Sequence, residues 1–227
     1  MKAMLLAAGR GERLRPLTDR IPKPLVPVAG KPLIAWHLER LAASGCREVV
    51  ANVSHLGQQI VDYVGDGTGF GLSVHFSREA EPLETAGGIA QALPLLGREP
   101  FLLVNGDIYC EIDFRPLLAR DLGANLAHLV LVPNPPQHVQ GDFSLDGGVI
   151  GNDGTPRYTY AGVAVMSPRL VASVKRGDKA PLAPLLRSAA GQRLISGERF
   201  GGLWQDVGTA ERLAELETQL AARRNSR

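Results

Sequence analysis

Residues 2–24 constrain this chain more than any other stretch. An apolar run, Lys2-Ala3-Met4-Leu5-Leu6-Ala7, passes directly into Ala8-Gly9-Arg10-Gly11-Glu12-Arg13-Leu14-Arg15-Pro16, and a Pro22-Lys23-Pro24 step follows. A strand that feeds a loop rich in glycine and basic residues opens an α/β fold whose first loop holds phosphate. Glycine lets the backbone approach an anion and turn its N–H groups inward. Arginine forks and a lysine point charge neutralise phosphate oxygens. Two familiar phosphate loops are excluded. The pattern Gly, four residues, Gly-Lys-Ser/Thr is absent, and Leu14 stands where the dinucleotide fingerprint needs a third glycine or alanine. A Gly-x-Gly alone marks a tight turn more often than a ligand site. The length of the run is what lifts this one.

Past this loop strands and helices alternate. Apolar spacing predicts strands over 5–7, 48–53, 72–76, 101–104 and 126–132. Helices are predicted over 32–41, 56–64 and 86–96, with a short one before residue 126. That order predicts an α/β fold with a mainly parallel central sheet, and the apolar strands predict helices on both faces. Pro133-Asn134-Pro135-Pro136 breaks the rhythm. After it the pattern predicts a hairpin over 143–151, turning at Asp146-Gly147-Gly148, and a strand over 157–166. Helices over 168–174 and 181–190 follow, then short strands at 194–195 and 199–200. A final amphipathic helix over 209–223 carries Leu213, Leu216 and Leu220 on one stripe. No repeat, low-complexity stretch or linker interrupts the chain, so one domain is expected over residues 1–227, with a first half (1–132) and a second half (133–227).

Charge and cysteine usage remove several classes. The 25 basic and 23 acidic residues leave a net charge of +2, too balanced for the basic stripe of a nucleic-acid binder. No eighteen-residue apolar stretch exists, and Arg10 interrupts the first apolar run before it reaches signal-peptide length, so neither a membrane span nor a secretory leader is expected. Cys46 and Cys110 are the only cysteines and form no CxxC pair, which suits a reducing cytoplasm. The five histidines are not at zinc-ligand spacing, and none is assigned to catalysis. Asn52-Val53-Ser54-His55 lies at a strand's C-terminal end, a pocket-lining position, with no further signal. No Ser-His-Asp arrangement or Gly-x-Ser-x-Gly elbow is present. The basic tail 223–227 reads as the frayed, solvated end of the last helix.

Three other segments bear on chemistry. Asp107 ends an apolar strand in Val104-Asn105-Gly106-Asp107, either as a turn residue or as a cation ligand of the kind open α/β sheets place there. Asp206, in Trp204-Gln205-Asp206-Val207-Gly208-Thr209, is either a helix cap or a second carboxylate. Pro82-Leu83-Glu84-Thr85-Ala86-Gly87-Gly88 is either close helix packing or a ligand-facing turn. Tyr158-Thr159-Tyr160-Ala161-Gly162 is either a plain buried strand or a pocket wall.

Taken in order, these motifs resemble the signature of the sugar-phosphate nucleotidyltransferases, the nucleotide-sugar pyrophosphorylases, over essentially all 227 residues. The resemblance implies a Rossmann-like, glycosyltransferase-A-like three-layer sandwich. It implies nucleotide binding by Ala7, Ala8, Gly9, Gly11, Arg13, Thr85, Ala86 and Gly87, and sugar binding by Asn105, Tyr160 and Gly162. Asp107 and Asp206 are implied to share a Mg²⁺. Lys23 is implied to hold the attacking sugar phosphate, with Arg13 balancing the leaving pyrophosphate. As a loop lysine, Lys23 is expected to be exposed. There are departures. Glu84 replaces the glycine common in guanylyl and glucose-type members, and the Glu-Lys-Pro step that precedes the substrate strand in many members is missing, which implies a more open sugar pocket. The chain stops after one helix, without the β-helix of the bifunctional acetyltransferase type. The implied substrates are UTP and a sugar 1-phosphate, N-acetylmuramic acid α-1-phosphate first, with Arg157 or Arg199 on its lactyl carboxylate. Guanylyl transfer to mannose or heptose 1-phosphate is the alternative within the class. A non-catalytic nucleotide-sugar sensor is the alternative outside it. A monomer or weak homo-oligomer is expected.

Overall fold

Strands that alternate their side chains between two apolar faces can hold a helix on each, and the central strands here do so. The computed structural model describes residues 1–225. In chain order it contains β1 (Ala3–Leu6), β2 (Pro27–Val28), β3 (Lys31–Pro32), α1 (Leu33–Ala43), β4 (Glu48–Val53), α2 (Gly57–Val64), β5 (Ser73–Arg78), α3 (Glu84–Leu96), β6 (Phe101–Asn105), β7 (Ile108–Cys110), α4 (Phe114–Leu118), β8 (Ala127–Val132), β9 (Phe143–Asp146), β10 (Val149–Gly151), β11 (Arg157–Met166), α5 (Ala183–Gly191), β12 (Ile195–Arg199), β13 (Trp204–Asp206) and α6 (Ala210–Asn225). In β4, Val49, Ala51 and Val53 face a core shared with Ile34 and Leu38 of α1, Ile60 of α2 and Phe114 of α4. Val50 points the other way, into a core with Ile89 of α3 and Leu186 of α5. A third cluster joins Leu216 and Leu220 of α6 to Val28, Tyr109 and Val207.

Nine strands form one sheet in the order β5-β4-β1-β6-β11-β8-β12-β10-β9, with β9 also paired to β11. The pairs β4–β5, β1–β4, β1–β6 and β8–β12 are parallel. The pairs β6–β11, β8–β11, β9–β10, β10–β12 and β9–β11 are antiparallel. The sheet is therefore mixed, which corrects the expectation of a mainly parallel one. For the β9–β10 and β9–β11 pairs the cause lies in the connections. A parallel pair needs a crossover of a dozen or more residues, and the turns joining β9, β10 and β11 are far shorter and carry no helix. β11 comes from the second half of the chain yet lies between β6 and β8 of the first.

Two smaller differences concern the C-terminal part. The strands expected at 194–195 and 199–200 are the ends of one strand, β12. The tail is not frayed where it is described: Arg223 donates to Glu111 Oε2 at 2.9 Å and Arg224 to the Ala29 carbonyl at 3.1 Å. Ser226 and Arg227 lie outside the described residues. Among the described residues no helix is long and apolar enough to cross a membrane.

Candidate active site

A cleft of about 890 Å³ opens beyond the C-terminal ends of β1, β4 and β6, the edge where open α/β sheets bind ligands. Its first wall is the loop after β1. Gly11 takes a left-handed φ of 66°, and a β-carbon there would lie 2.9 Å from Thr18 Cγ2 and 3.1 Å from Lys23 Cβ. Glycine is required both by the backbone angle and by the passage of the Lys23 stem beneath the loop. Thr18 Oγ1 donates to the Gly11 carbonyl at 2.8 Å and closes the turn. Lys23 is only 6% exposed, which corrects the expectation of an exposed loop lysine. Its Nζ donates to Asp107 Oδ2 at 2.7 Å on the cleft floor.

The two candidate carboxylates flank one strand pair: Asp107 precedes β7 and Asp206 ends β13. β7 and β13 are antiparallel, with Asp206 opposite Ile108, and the Val207 N–H donates to the Asp107 carbonyl at 2.8 Å. Asp107 lines the cleft and Asp206 does not. Asp206 is held by Arg212 on Oδ2 and by Gln137 Nε2 on Oδ1, the latter at 2.8 Å. It does not cap α6; Thr209 Oγ1 accepts the Arg212 N–H at 3.4 Å instead. Arg212 Nη1 and Asp206 Oδ2 each lie 2.8 Å, and Arg13 Nη2 3.1 Å, from where a Gly208 β-carbon would sit. Arg13 and Gly208 both line the cleft, so two guanidinium groups converge at this end.

The opposite wall is the turn into α3. Thr85 and Glu84 line the cleft, together with Glu81, Pro82 and Lys179. Ala86 and Gly87 do not line it. Their N–H groups donate to the Ala180 carbonyl at 2.9 and 3.1 Å, and Ala180 N–H donates back to Leu83 O at 3.0 Å. A segment of the second half thus straps the turn from behind, which removes the expected direct role for these two amides. Glu84 adopts φ 60° without being glycine, and its carboxylate is 3.8 Å from Lys179 Nζ. Asn52 and Glu79, which sequence reasoning did not connect, are both buried and both line the cleft. Asn52 Nδ2 donates to Glu79 Oε1 at 2.6 Å. They are 27 residues apart and no local periodicity links them.

Beside β11, Asn105 lines the cleft and packs against Gly162, whose φ is 74° and where a β-carbon would fall 2.7 Å from Asn105 Cγ. Gly162 lies in a bulge of β11 between Tyr160 and Ala164. Tyr160 does not line the cleft. Its ring packs against the core on the α3 side, its hydroxyl is buried without a hydrogen-bond partner, and burial, with Asp142 nearby, pushes the phenol up. The expected sugar contact by Tyr160 is corrected accordingly. Arg157 is spent on the carbonyls of Asn152 and Asp142, at 3.0 and 2.8 Å. Arg199 is exposed and stacks on Tyr158, 5.1 Å from its ring centre.

The remaining nucleophiles and histidines lie elsewhere. Burial pushes the Cys46 thiol up and the Cys110 thiol up to about 11, so neither is an activated thiolate. His128 Nδ1 meets Ser196 Oγ at 2.8 Å, and its Nε2 is 3.3 Å from Glu198 Oε2. This Ser-His-Glu set arises because β8 and β12 are neighbours, and none of it lines the cleft.

Comparison with known proteins bears on the family and the fold. A family model, the nucleotidyl transferases, matches residues 2–144. A curated relative, the N-acetylmuramate alpha-1-phosphate uridylyltransferase of Neisseria meningitidis serogroup B, is 51% identical over 98% of this chain and 99% of its own. The glucose-1-phosphate thymidylyltransferase of Streptomyces griseus is 32% identical over 95% of this chain and 65% of its own. Among solved structures, a Bacillus anthracis protein assigned as a glucose-1-phosphate thymidylyltransferase superposes with a TM-score of 0.85 over 96% of this chain and 94% of its own, at 18% identity, a likeness of fold.

Proposed function

This chain belongs to the nucleotidyl transferase family, and we propose that it transfers the uridylyl group of UTP to N-acetylmuramic acid α-1-phosphate in cell-wall recycling. The products are UDP-N-acetylmuramic acid and pyrophosphate. The observation that carries this reading is the full-length likeness to the Neisseria uridylyltransferase, supported by a cleft that gathers Arg13, Lys23 and Asp107.

A phosphate oxygen of the sugar 1-phosphate attacks the α-phosphorus of UTP. The new P–O bond forms as the bridging bond to the β-phosphorus breaks, and its electron pair leaves with pyrophosphate. No protein atom becomes bonded to substrate, so catalysis is positioning and charge stabilisation. Ala7, Ala8, Gly9 and Gly11 line the triphosphate side of the cleft, where backbone N–H groups suit phosphate oxygens. Arg13 balances the leaving pyrophosphate. Lys23, seated on the cleft floor, steers the attacking phosphate toward the α-phosphorus. Thr85 faces the base, and Asn105, with Gly162 behind it, faces the sugar. Arg199, the less committed of the two candidate arginines, is the partner for the lactyl carboxylate.

Asp107 and Asp206 would hold Mg²⁺. The donor set is two hard carboxylates: Asp107, in the turn before β7 and paired with Lys23, and Asp206 of β13, outside the cleft lining and held by Arg212 and Gln137. Among the described residues no cluster of three or more ligating side chains forms a protein cage. That suits an ion that takes one or two carboxylates and completes its shell with water and substrate phosphates. When bound, the ion neutralises charge on the phosphates of both substrates. We assign the nucleotide to residues 1–132 and the sugar to residues 133–227, in a cytoplasmic monomer or weak homo-oligomer with no nucleic-acid or membrane partner.

Pyrophosphate release tests this reading. UTP with N-acetylmuramic acid α-1-phosphate should release pyrophosphate with Mg²⁺, fall silent in EDTA and recover when Mg²⁺ is restored. No release from any triphosphate and sugar 1-phosphate would indicate the non-catalytic sensor instead.

A further inference from the structure

Asn52 and Glu79 line the cleft but take no part in the chemistry above. They are 3% and 6% exposed, and Glu79 forms no salt bridge among the described residues. Their hydrogen bonds run in one line. The Ala7 N–H donates to Asn52 Oδ1 at 2.8 Å, Asn52 Nδ2 donates to Glu79 Oε1 at 2.6 Å, and the Leu83 N–H donates to Glu79 Oε2 at 3.0 Å. One end is the start of the phosphate loop and the other is the turn that carries Glu84 and Thr85. A β-carbon on Gly88 would come within 2.7 Å of Glu79 Oε1 and 2.8 Å of Asn52 Nδ2, so α3 packs flush against the pair.

The line has a fixed polarity. Both of its ends are backbone N–H groups, which can only donate. Asparagine supplies one acceptor and one donor, so the next residue must accept twice. A carboxyl group does that with an oxygen facing each donor, whereas an amide offers one oxygen and one NH₂. This explains a buried acid with no basic partner.

We propose that Asn52 and Glu79 form a spacer of fixed hydrogen-bond polarity that sets the distance between the phosphate loop and the base turn, and thereby positions the nucleotide. They are positioning residues, acting through Ala7 and Leu83. The inference rests on reading both segments as nucleotide-binding.

The polarity makes the test specific. Glu79→Gln leaves two donors facing each other however the amides are turned. Asn52→Asp sets two carboxylates together. The double variant N52D/E79Q restores the count: the carboxylate at 52 accepts from Ala7 N–H and from the amide at 79, whose oxygen accepts from Leu83 N–H. The measurements are Kd for UTP by calorimetry at pH 8, where a proton shared between two carboxylates is disfavoured, and KM for each substrate. Each single variant should weaken UTP binding and raise KM for UTP about tenfold or more, the scale of one unsatisfied buried group, with KM for the sugar 1-phosphate nearly unchanged. The double variant should recover UTP binding to within about threefold of wild type. If a single variant does not fold, the double variant still decides. A double variant that fails to fold, or folds and binds no better than the singles, overturns the spacer, as do single variants that bind like wild type. A wild-type protein that binds no UTP overturns the functional reading itself, and the spacer with it.

Discussion

Gly11 and Lys23 show how one residue's missing atom places another's charge. The β-carbon absent from Gly11 is the space through which the lysine stem reaches the cleft floor and Asp107. Lys23→Ala should cut kcat with UTP about a hundredfold or more, the scale for removing a charge stabiliser. It should also cost about 1–2 kcal/mol of stability by denaturant titration, mostly from the lost packing of the buried stem, because the ion pair itself is weak where Asp107 is 43% exposed. Near-normal turnover would count against the assigned role. Glu84 poses a backbone question. Its φ of 60° is an angle that favours glycine. Its Lys179 partner, at 3.8 Å and exposed, contributes little. Glu84→Gly should therefore be more stable than Glu84→Ala by about 1 kcal/mol in thermal unfolding, the strain of a left-handed non-glycine residue. Equal stability would mean that the turn is unstrained.

Among the elements, the longer strands and most helices were legible; the helix expected over 168–174 is only a 3-10 turn, Pro168–Val171, and the shortest strands were not legible. β4, β8 and β11 are apolar runs bounded by turn residues, and their expected limits hold within a residue. β2 and β3 are two residues each, and β7 is three, too short for any periodicity to register. Yet β7, paired with β13, is what brings Asp107 beside Asp206. β7 is anchored by His37 of α1, whose Nε2–H donates to the Ile108 carbonyl at 2.7 Å. Burial drives that imidazole from 6.5 down to about 4, with Arg40 adding to the effect and the Ile108 bond and Asp107 opposing it. The ring is neutral in the fold, whereas in the unfolded chain it takes a proton below pH 6.5. The contribution is therefore complete above pH 6.5 and is lost as the pH falls toward 4, on the order of 3 kcal/mol in all. Thermal stability should drop through that window. His37→Gln, which keeps a donor but cannot charge, should remove most of the slope; an unchanged slope would place the titration elsewhere.

For the whole molecule, alternation identified the α/β class but not the reversal of β11. Strand direction depends on connection length and on which strands become neighbours, and neither is written in a local pattern. The same holds for the site. Gly11, Lys23 and Asp107, which line the cleft, stand in contiguous motifs and could be read; Asp206 stands in one too but lies outside the cleft lining. The strap from Ala180 onto Ala86 and Gly87, and the Asn52–Glu79 pair, are tertiary contacts with no local mark. β11 between β6 and β8 joins the two halves of the chain in one sheet; under the proposed assignment the two substrates would meet across strands that cannot shift independently. The central claim is that this cleft takes UTP and N-acetylmuramic acid α-1-phosphate. A site that hydrogen-bonds its preferred base rejects others by leaving its own polar groups unpaired, a discrimination that can reach several orders of magnitude. The most direct measurement is kcat/KM for UTP, GTP, CTP and dTTP, each crossed with N-acetylmuramic acid, N-acetylglucosamine and mannose 1-phosphates. We expect UTP with the muramic acid sugar to lead every other pair by at least about tenfold; a preference for GTP with mannose 1-phosphate would contradict it.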